Sequence, residues 1–246
     1  MAVRDLTSQR VFVDTALAAG AAVACTQNQA HYLRSALRME AGADLLVFNG
    51  RDGEWSATLR AGGKRGASLE IRAQERPQQN GPDLWYLFAP LKRSRLDYMV
   101  QKAVEMGVSR LVPVITQHTN AERVNIERMR SNVIEAAEQC GVLRIADVAE
   151  PSKLAALLTN WQPDRALIFC DEESPLLSPL EALAKVPRGP LAVLIGPEGG
   201  FSDVERQLIA GKSYAHPISL GPRVMRADTA AVAALAVVQV VLGDWH

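Results

Sequence analysis

Along the first third of the chain, apolar and polar positions alternate in five short stretches: RVFVD, AAVAC, ADLLVFNG, EWSATL and ASLEIRA. Turn pairs such as Asn49-Gly50 and Gly62-Gly63 separate them. Runs of this length with period-two patterning, punctuated by glycine, predict strands. Together they suggest a small β-barrel reaching to about residue 73. One stretch breaks the pattern. AHYLRSALRM has helical spacing, which places Leu33, Ala36 and Leu37 on one face and leaves Arg34 and Arg38, four residues apart, on another ridge.

The stretch ERPQQNGPD, Glu75 to Asp83, carries two prolines, a glycine and no periodicity, which is the composition of a linker. Beyond it the texture changes. The apolar runs LWYLF, RLVPVI, RALIFC and LAVLIG alternate with helical patterns, and such alternation implies a parallel sheet with helices on both faces. In the first helix, Leu96, Met99, Val100, Ala103 and Val104 recur at helical spacing, with Ser94 and Asp97 expected as its cap and Gly107 as its stop. A second helix is expected from about Glu122 to Cys140, ending at Gly141. Near the end of the chain, TAAVAALAVVQVVL is continuously apolar but shorter than the roughly 20 residues a bilayer requires, so it reads as a buried helix and no membrane partner is expected. The expected organisation is α/β, with one domain over residues 1–75 and a second over residues 82–246.

Composition narrows the chemistry. The 246 residues are 48% hydrophobic, enough for one large core or two modest ones. Lys plus Arg equals Asp plus Glu at 27 each, so no whole-chain positive field gathers polyanions, and any nucleic-acid contact must come from local patches. Cys25, Cys140 and Cys170 are odd in number and widely spaced, which fits neither a disulfide framework nor a zinc site and points to a reducing cytoplasm. The four histidines lack metal-ligand spacing, so no metal is expected.

The most informative stretch is LIGPEGGFSDVE, residues 194 to 205. Its apolar run ends in Gly196-Pro197-Glu198-Gly199-Gly200, and Ser202 to Glu205 has the spacing of a capping box. A turn between a strand end and a helix start, lacking side chains at three positions, lets a ligand approach the main chain. Neither the phosphate-loop nor the dinucleotide-loop pattern is present. A second loop, SLGPRVMRADTAAVAAL, enters Gly221-Pro222 and leaves at Asp228 or Thr229 into the last helix. Two such loops at one sheet edge would wall a pocket.

LIGPEGG followed about 20 residues on by LGPRVMRADTA resembles the RsmE family of 16S rRNA uracil-N3 methyltransferases, within the SPOUT superfamily. LRSALRM, LLVFNG, QKAVEMGV and EAAEQCG are also similar to family segments, so the resemblance covers nearly the whole chain. It implies an N-terminal PUA-like RNA-binding β-barrel and a C-terminal SPOUT α/β domain, with a trefoil knot over about residues 190–246. It also implies S-adenosylmethionine (SAM) as methyl donor, 16S rRNA of the small ribosomal subunit as substrate and a homodimer. Donor contacts would come from Leu194, Ile195 and the turn Gly196, Pro197, Glu198, Gly199 and Gly200. The second loop would add Leu220, Gly221, Val224, Met225, Arg226, Thr229 and Ala230. Related readings are a SpoU-like ribose 2′-O-methyltransferase and a noncatalytic RNA-binding assembly factor. Two departures stand out: Gln117-His118-Thr119-Asn120 replaces a basic residue followed by Ser or Thr, and Asp228 stands where the family commonly has glutamate.

Methylation at uracil N3 requires loss of the N3 proton and a base drawn out of its stack. Arg226 is the candidate clamp for a uracil anion, and Glu198 and Asp228 are the candidate proton acceptors. Arg34 and Arg38, then Lys92, Arg93 and Arg95, form two local basic clusters suited to phosphate, with Arg223 a further RNA contact. The acidic run Asp171-Glu172-Glu173 is expected as a solvated loop, its other reading being contact with the donor's sulfonium or amine.

Overall fold

The computed structural model describes residues 8–62, 66–120, 123–171 and 178–245, with the side chain of Arg93 left undescribed. Gly63, Glu122, Glu172 and Glu173, which figure in the sequence reading, lie outside these residues. The chain divides into two compact units, residues 1–80 with 137–145, and residues 81–136 with 146–246.

The first unit is built on β1 (Arg10–Phe12), β2 (Ala22–Ala24), β3 (Asp44–Phe48), β4 (Glu54–Ala61) and β5 (Ala67–Arg76), in the order β1-β3-β4-β5-β2. All five expected strands are present. β1 pairs with β3 in parallel and the remaining pairs are antiparallel. Period-two patterning explains which side chains go inside: Ala67, Leu69 and Ile71 of β5 are buried while the residues between them are not, and Val23, Val47 and Leu59 join them in one core.

The helical interruption differs from its expectation. A short α-helix, α1 (Gln27–His31), capped by a Thr26–Gln29 capping box, passes into a π-helical turn over Tyr32–Ala36. Arg38 lies beyond that turn with φ +55°. The wider π turn rotates the later positions, so Leu33 is buried but Ala36 and Leu37 are exposed, and Arg34 and Arg38 share no α-helical ridge.

A buried charge cluster ties this unit together. The Glu54 carboxylate accepts from Arg10 Nε at 2.9 Å and from Arg76 Nε at 2.7 Å and Nη2 at 2.9 Å. Burial alone would raise its pKa, but the hydrogen bonds and charge of Arg76 and then Arg10 outweigh that and hold it below the usual carboxylate range. Residues 137–145 complete the unit: Glu138 accepts from the Phe12 amide at 2.8 Å and the Gly141 carbonyl from Arg76 Nη2 at 3.1 Å.

The second unit carries a parallel sheet of β6 (Leu84–Phe88), β7 (Arg110–Ile115), β8 (Asp147–Val148), β10 (Ala166–Cys170), β11 (Leu191–Ile195) and β12 (Ala215–Ile218), in the order β12-β10-β11-β6-β7-β8, with β9 (Ser152–Lys153) also on β7. Every residue of β11 is buried, the continuous apolar run expected of a strand covered on both faces. On one face Leu87 and Leu194 pack with Leu154 and Leu158 of α4 (Leu154–Thr159) and Ile209 of α6 (Asp203–Ala210). Tyr86 instead donates its hydroxyl to Met99 Sδ on α2 (Arg93–Glu105) at 3.3 Å.

Helix ends follow the glycines, with Gly107 and Gly141 at φ +79° and +60° just past α2 and α3 (Ile126–Cys140). The expected cap of α2 is replaced. Lys92 holds the N-cap position with no side-chain bond, and Asp97 instead binds Arg128 Nη2 at 2.6 Å and Asn132 Nδ2 at 2.7 Å on α3. The last helix, α7 (Ala227–Val241), starts after Arg226, slightly earlier than the sequence suggests.

Candidate active site

Three neighbouring strands end together. Cys170 and Asp171 close β10, Ile195 and Gly196 close β11, and Ile218 and Ser219 close β12, and all six line one cavity of about 350 Å³. The carboxyl ends of parallel strands are where open α/β sheets bind ligands. The glycine turn after β11 and the loop Leu220–Met225 after β12 form its walls, so the two unusual loops are brought together.

The first wall is shaped by backbone. Gly200 N donates to the Pro197 carbonyl at 2.9 Å, closing a tight turn, and Gly200 has φ +68°. A Cβ on Gly196 would lie 3.0 Å from the Phe201 ring, so the ring would have to give way by a few tenths of an ångström to admit one. Ser202 and Glu205 form the expected capping box that starts α6. The segment that departs from the family pattern braces this wall. His118 Nδ1 is 3.1 Å from both the Gly199 and Gly200 carbonyls, and the Gln117 amide donates to Glu205 Oε1 at 2.8 Å. A carbonyl only accepts, so Nδ1 carries the hydrogen.

Of the expected donor contacts, Ile195, Gly196, Pro197, Glu198, Gly200, Leu220, Gly221, Val224, Met225 and Ala230 line the cavity. Leu194 does not, because its side chain is fully buried in the core beside Leu87. Gly199 faces His118, and Arg226 and Thr229 line a second hollow with Tyr98, Asp228, Val232 and Ala233. The candidate catalytic groups are therefore divided between two hollows. Arg226 Nη2 donates to Asp228 Oδ2 at 3.0 Å, the carboxylate buried and the guanidinium exposed. Glu198 is ion-paired with Arg95, so Arg95 meets a carboxylate of the donor-side wall. Lys92 is exposed, and Arg223 lies on the rim of the first cavity.

Sequence reasoning missed part of the lining, above all Cys170, Phe201 and Arg206, and favoured a solvated loop for Asp171 over its other reading, contact with the donor. Burial pushes the Cys170 thiol up to about 12, so it is a neutral wall and not a nucleophile. Asp171 is not solvated as expected: its side chain is 12% exposed and 3.6 Å from Arg206 Nη1, itself 15% exposed. The signal for it was the end of RALIFC beside LAVLIG in a parallel sheet, since adjacent parallel strands deliver their last residues to one edge. Among the described residues no group of three His, Cys, Asp or Glu could hold a metal ion, and no helix is long and apolar enough to cross a membrane.

Comparison with known proteins agrees with this geometry. Residues 78–239 match the family described as RNA methyltransferase domain, and residues 26–72 match RNA methyltransferase PUA domain. The ribosomal RNA small subunit methyltransferase E of Synechocystis is 30% identical over 227 residues, covering 90% of this chain and 74% of that protein. A crystal structure of ribosomal RNA small subunit methyltransferase E from Neisseria gonorrhoeae bound to S-adenosyl methionine superposes with a TM-score of 0.89 at 24% identity, covering 97% of this chain and all (100%) of that one. A structure from Legionella pneumophila in complex with the bound cofactor SAM gives a TM-score of 0.81 at 28% identity over 96% of this chain and 99% of the other. The chain belongs to the ribosomal RNA small subunit methyltransferase E family of RNA methyltransferases.

Proposed function

We propose that this protein is a cytoplasmic, SAM-dependent methyltransferase acting on N3 of a uridine in 16S rRNA. The observation that carries the reading is the cavity walled by the glycine turn and the Leu220–Met225 loop at the carboxyl ends of β10, β11 and β12. Its size suits a nucleoside-bearing ligand, since small-molecule sites begin at about 300 Å³. Its lining includes the apolar side chains of Ile195, Ile218 and Met225, while glycines admit a ligand to the main chain. When bound, SAM supplies an electrophilic methyl group on a sulfonium.

The chain's own residues have complementary tasks. Arg226, permanently charged, stabilises a uracil that has lost its N3 proton by bonding a carbonyl oxygen next to N3. Asp228, hydrogen-bonded to Arg226, is the favoured acceptor for that proton, because Glu198 is engaged by Arg95. Arg34, Arg38, Lys92, Arg93 and Arg223 serve as phosphate contacts. The trefoil knot over about residues 190–246 belongs to the same reading, supported by the closeness of the two loops.

A homodimer is part of the proposal, supported by the outer face of α7. Val240 there is exposed, as is Tyr98 on α2, and Val232 and Ala233 keep the face small and apolar. The test is nucleoside analysis of small-subunit rRNA incubated with the purified protein and SAM. The expected product is 3-methyluridine. Ribose methylation or no modification overturns the assignment, and light scattering checks the dimer.

A further inference from the structure

The π turn of the first unit gathers exposed side chains that an α-helix would scatter. Leu33, fully buried, and Met39, packed on the same core, pin the segment, while Arg34, Ser35, Ala36, Leu37 and Arg38 between them are all exposed. The Leu37 amide donates to the Tyr32 carbonyl at 3.0 Å. Residues five apart stand far around an α-helix from one another, but a hydrogen bond between them closes one turn of the wider π winding, so Tyr32 and Leu37 come to one side. Both are large and exposed, at 37% and 36%.

The two arginines beside this pair differ from four others of the unit. Arg10 and Arg76 are paired with Glu54, Arg51 with Asp14 and Arg60 with Glu70. Arg34 instead donates to the neutral Gly66 carbonyl at 3.3 Å, and among the described residues neither it nor Arg38 forms an ion pair. The acid nearest in sequence, Glu40, lies past the core-anchored Met39. Arg38 is held at φ +55°, a conformation that costs a non-glycine residue energy and is kept where the surroundings fix it.

We propose that this turn is a stacking platform for an unpaired nucleotide of the RNA substrate, with the base against the Tyr32 ring and the Leu37 side chain and the adjoining phosphates met by Arg34 and Arg38. This rests on the reading of the protein as an rRNA methyltransferase and adds which form of RNA the first unit selects. An exposed ring offers its face to any base, but only to one that has left its own stack, so the platform discriminates against duplex. The two guanidinium groups supply a local attraction for phosphate that a chain of zero net charge lacks as a whole. Because Leu33 and Met39 already hold the turn, little further ordering is needed when a base arrives.

Fluorescence anisotropy of the full chain with two labelled oligoribonucleotides of equal length, a uridine-rich single strand and a duplex, tests the platform. Tyr32→Ala weakens binding of the single strand by about tenfold, the value of one stacked base, and changes duplex affinity by less than about twofold. Tyr32→Phe keeps the ring and binds like the wild type, and Leu37→Ser weakens the single strand by a smaller factor than Tyr32→Ala. Arg34→Gln weakens both RNAs and lowers the slope of log affinity against log salt by about one. All three positions are exposed, so urea midpoints stay at the wild-type value and loss of folding is excluded as the cause. Equal losses for both RNAs in Tyr32→Ala, no loss for either, or a Tyr32→Phe variant as weak as Tyr32→Ala overturns the inference, as does a wild type that binds neither RNA. A wild type that shows the Tyr32 pattern but forms no 3-methyluridine in small-subunit rRNA upholds the platform and overturns the N3 assignment.

Discussion

Each unit of this protein encloses a carboxylate with guanidinium, but the two are built differently. In the first unit both Glu54 oxygens are taken by Arg10 and Arg76 at 2.7–2.9 Å, and nothing outside the cluster is needed. In the second, Asp171 and Arg206 stand 3.6 Å apart on the wall of a cavity. The first cluster is closed within the core of its unit, whereas the second pair borders the space between the two loops.

Substitution should separate the two. Glu54→Ala strands two guanidinium groups in the first unit and should lower stability by about 3–5 kcal/mol. Urea unfolding at constant pH measures it, and SAM affinity of the folded fraction should be unchanged. A parallel fall in affinity would dissolve the contrast. Gly196→Val works on the other side: its side chain would collide with the Phe201 ring, so SAM affinity should fall more than about tenfold, or 1.4 kcal/mol, by titration.

Acid should weaken the closed cluster in a predictable direction. Because Glu54 has a depressed folded pKa, its contribution is present in full above its unfolded value of about 4.3 and disappears as pH falls through the folded value. The stability gap between wild type and Glu54→Gln should therefore be wide at pH 7 and narrow well below pH 4, as read from urea unfolding at both. The smallest effect is expected at His118, which braces the glycine wall through one ring nitrogen. His118→Ala should weaken SAM binding by about threefold, roughly the value of one net hydrogen bond, and His118→Asn, which keeps a donor, by less.

Much of this was legible in the sequence wherever local patterning and burial agree. The five strands of the first unit, β6, β7, β10 and β11 of the second, the stops at Gly107 and Gly141 and the capping box at Ser202 are all local signals. Even the meeting of the two loops could be anticipated, since one follows a buried apolar run and the other a short extended piece. The π turn over Tyr32–Ala36 could not, because one residue of extra winding leaves no mark in an apolar repeat. Asp97 has good capping spacing, yet α3 offers it Arg128 and Asn132, and a tertiary partner won over a local one. Asp171 begins an acidic run that looks solvated in isolation. Its burial is decided by β11 and β12, which follow about 20 to 50 residues later and lie beside it only in the folded sheet.

The return of residues 137–145 to the first unit bears on how that unit can be made in isolation. A recombinant fragment cut in the proline-rich stretch near residue 76 would lack the acceptors that Glu138 and Gly141 provide to Phe12 and Arg76. A version of the first unit designed for separate study should therefore graft the nine-residue return segment back by a short linker, making a permuted polypeptide in place of a simple truncation.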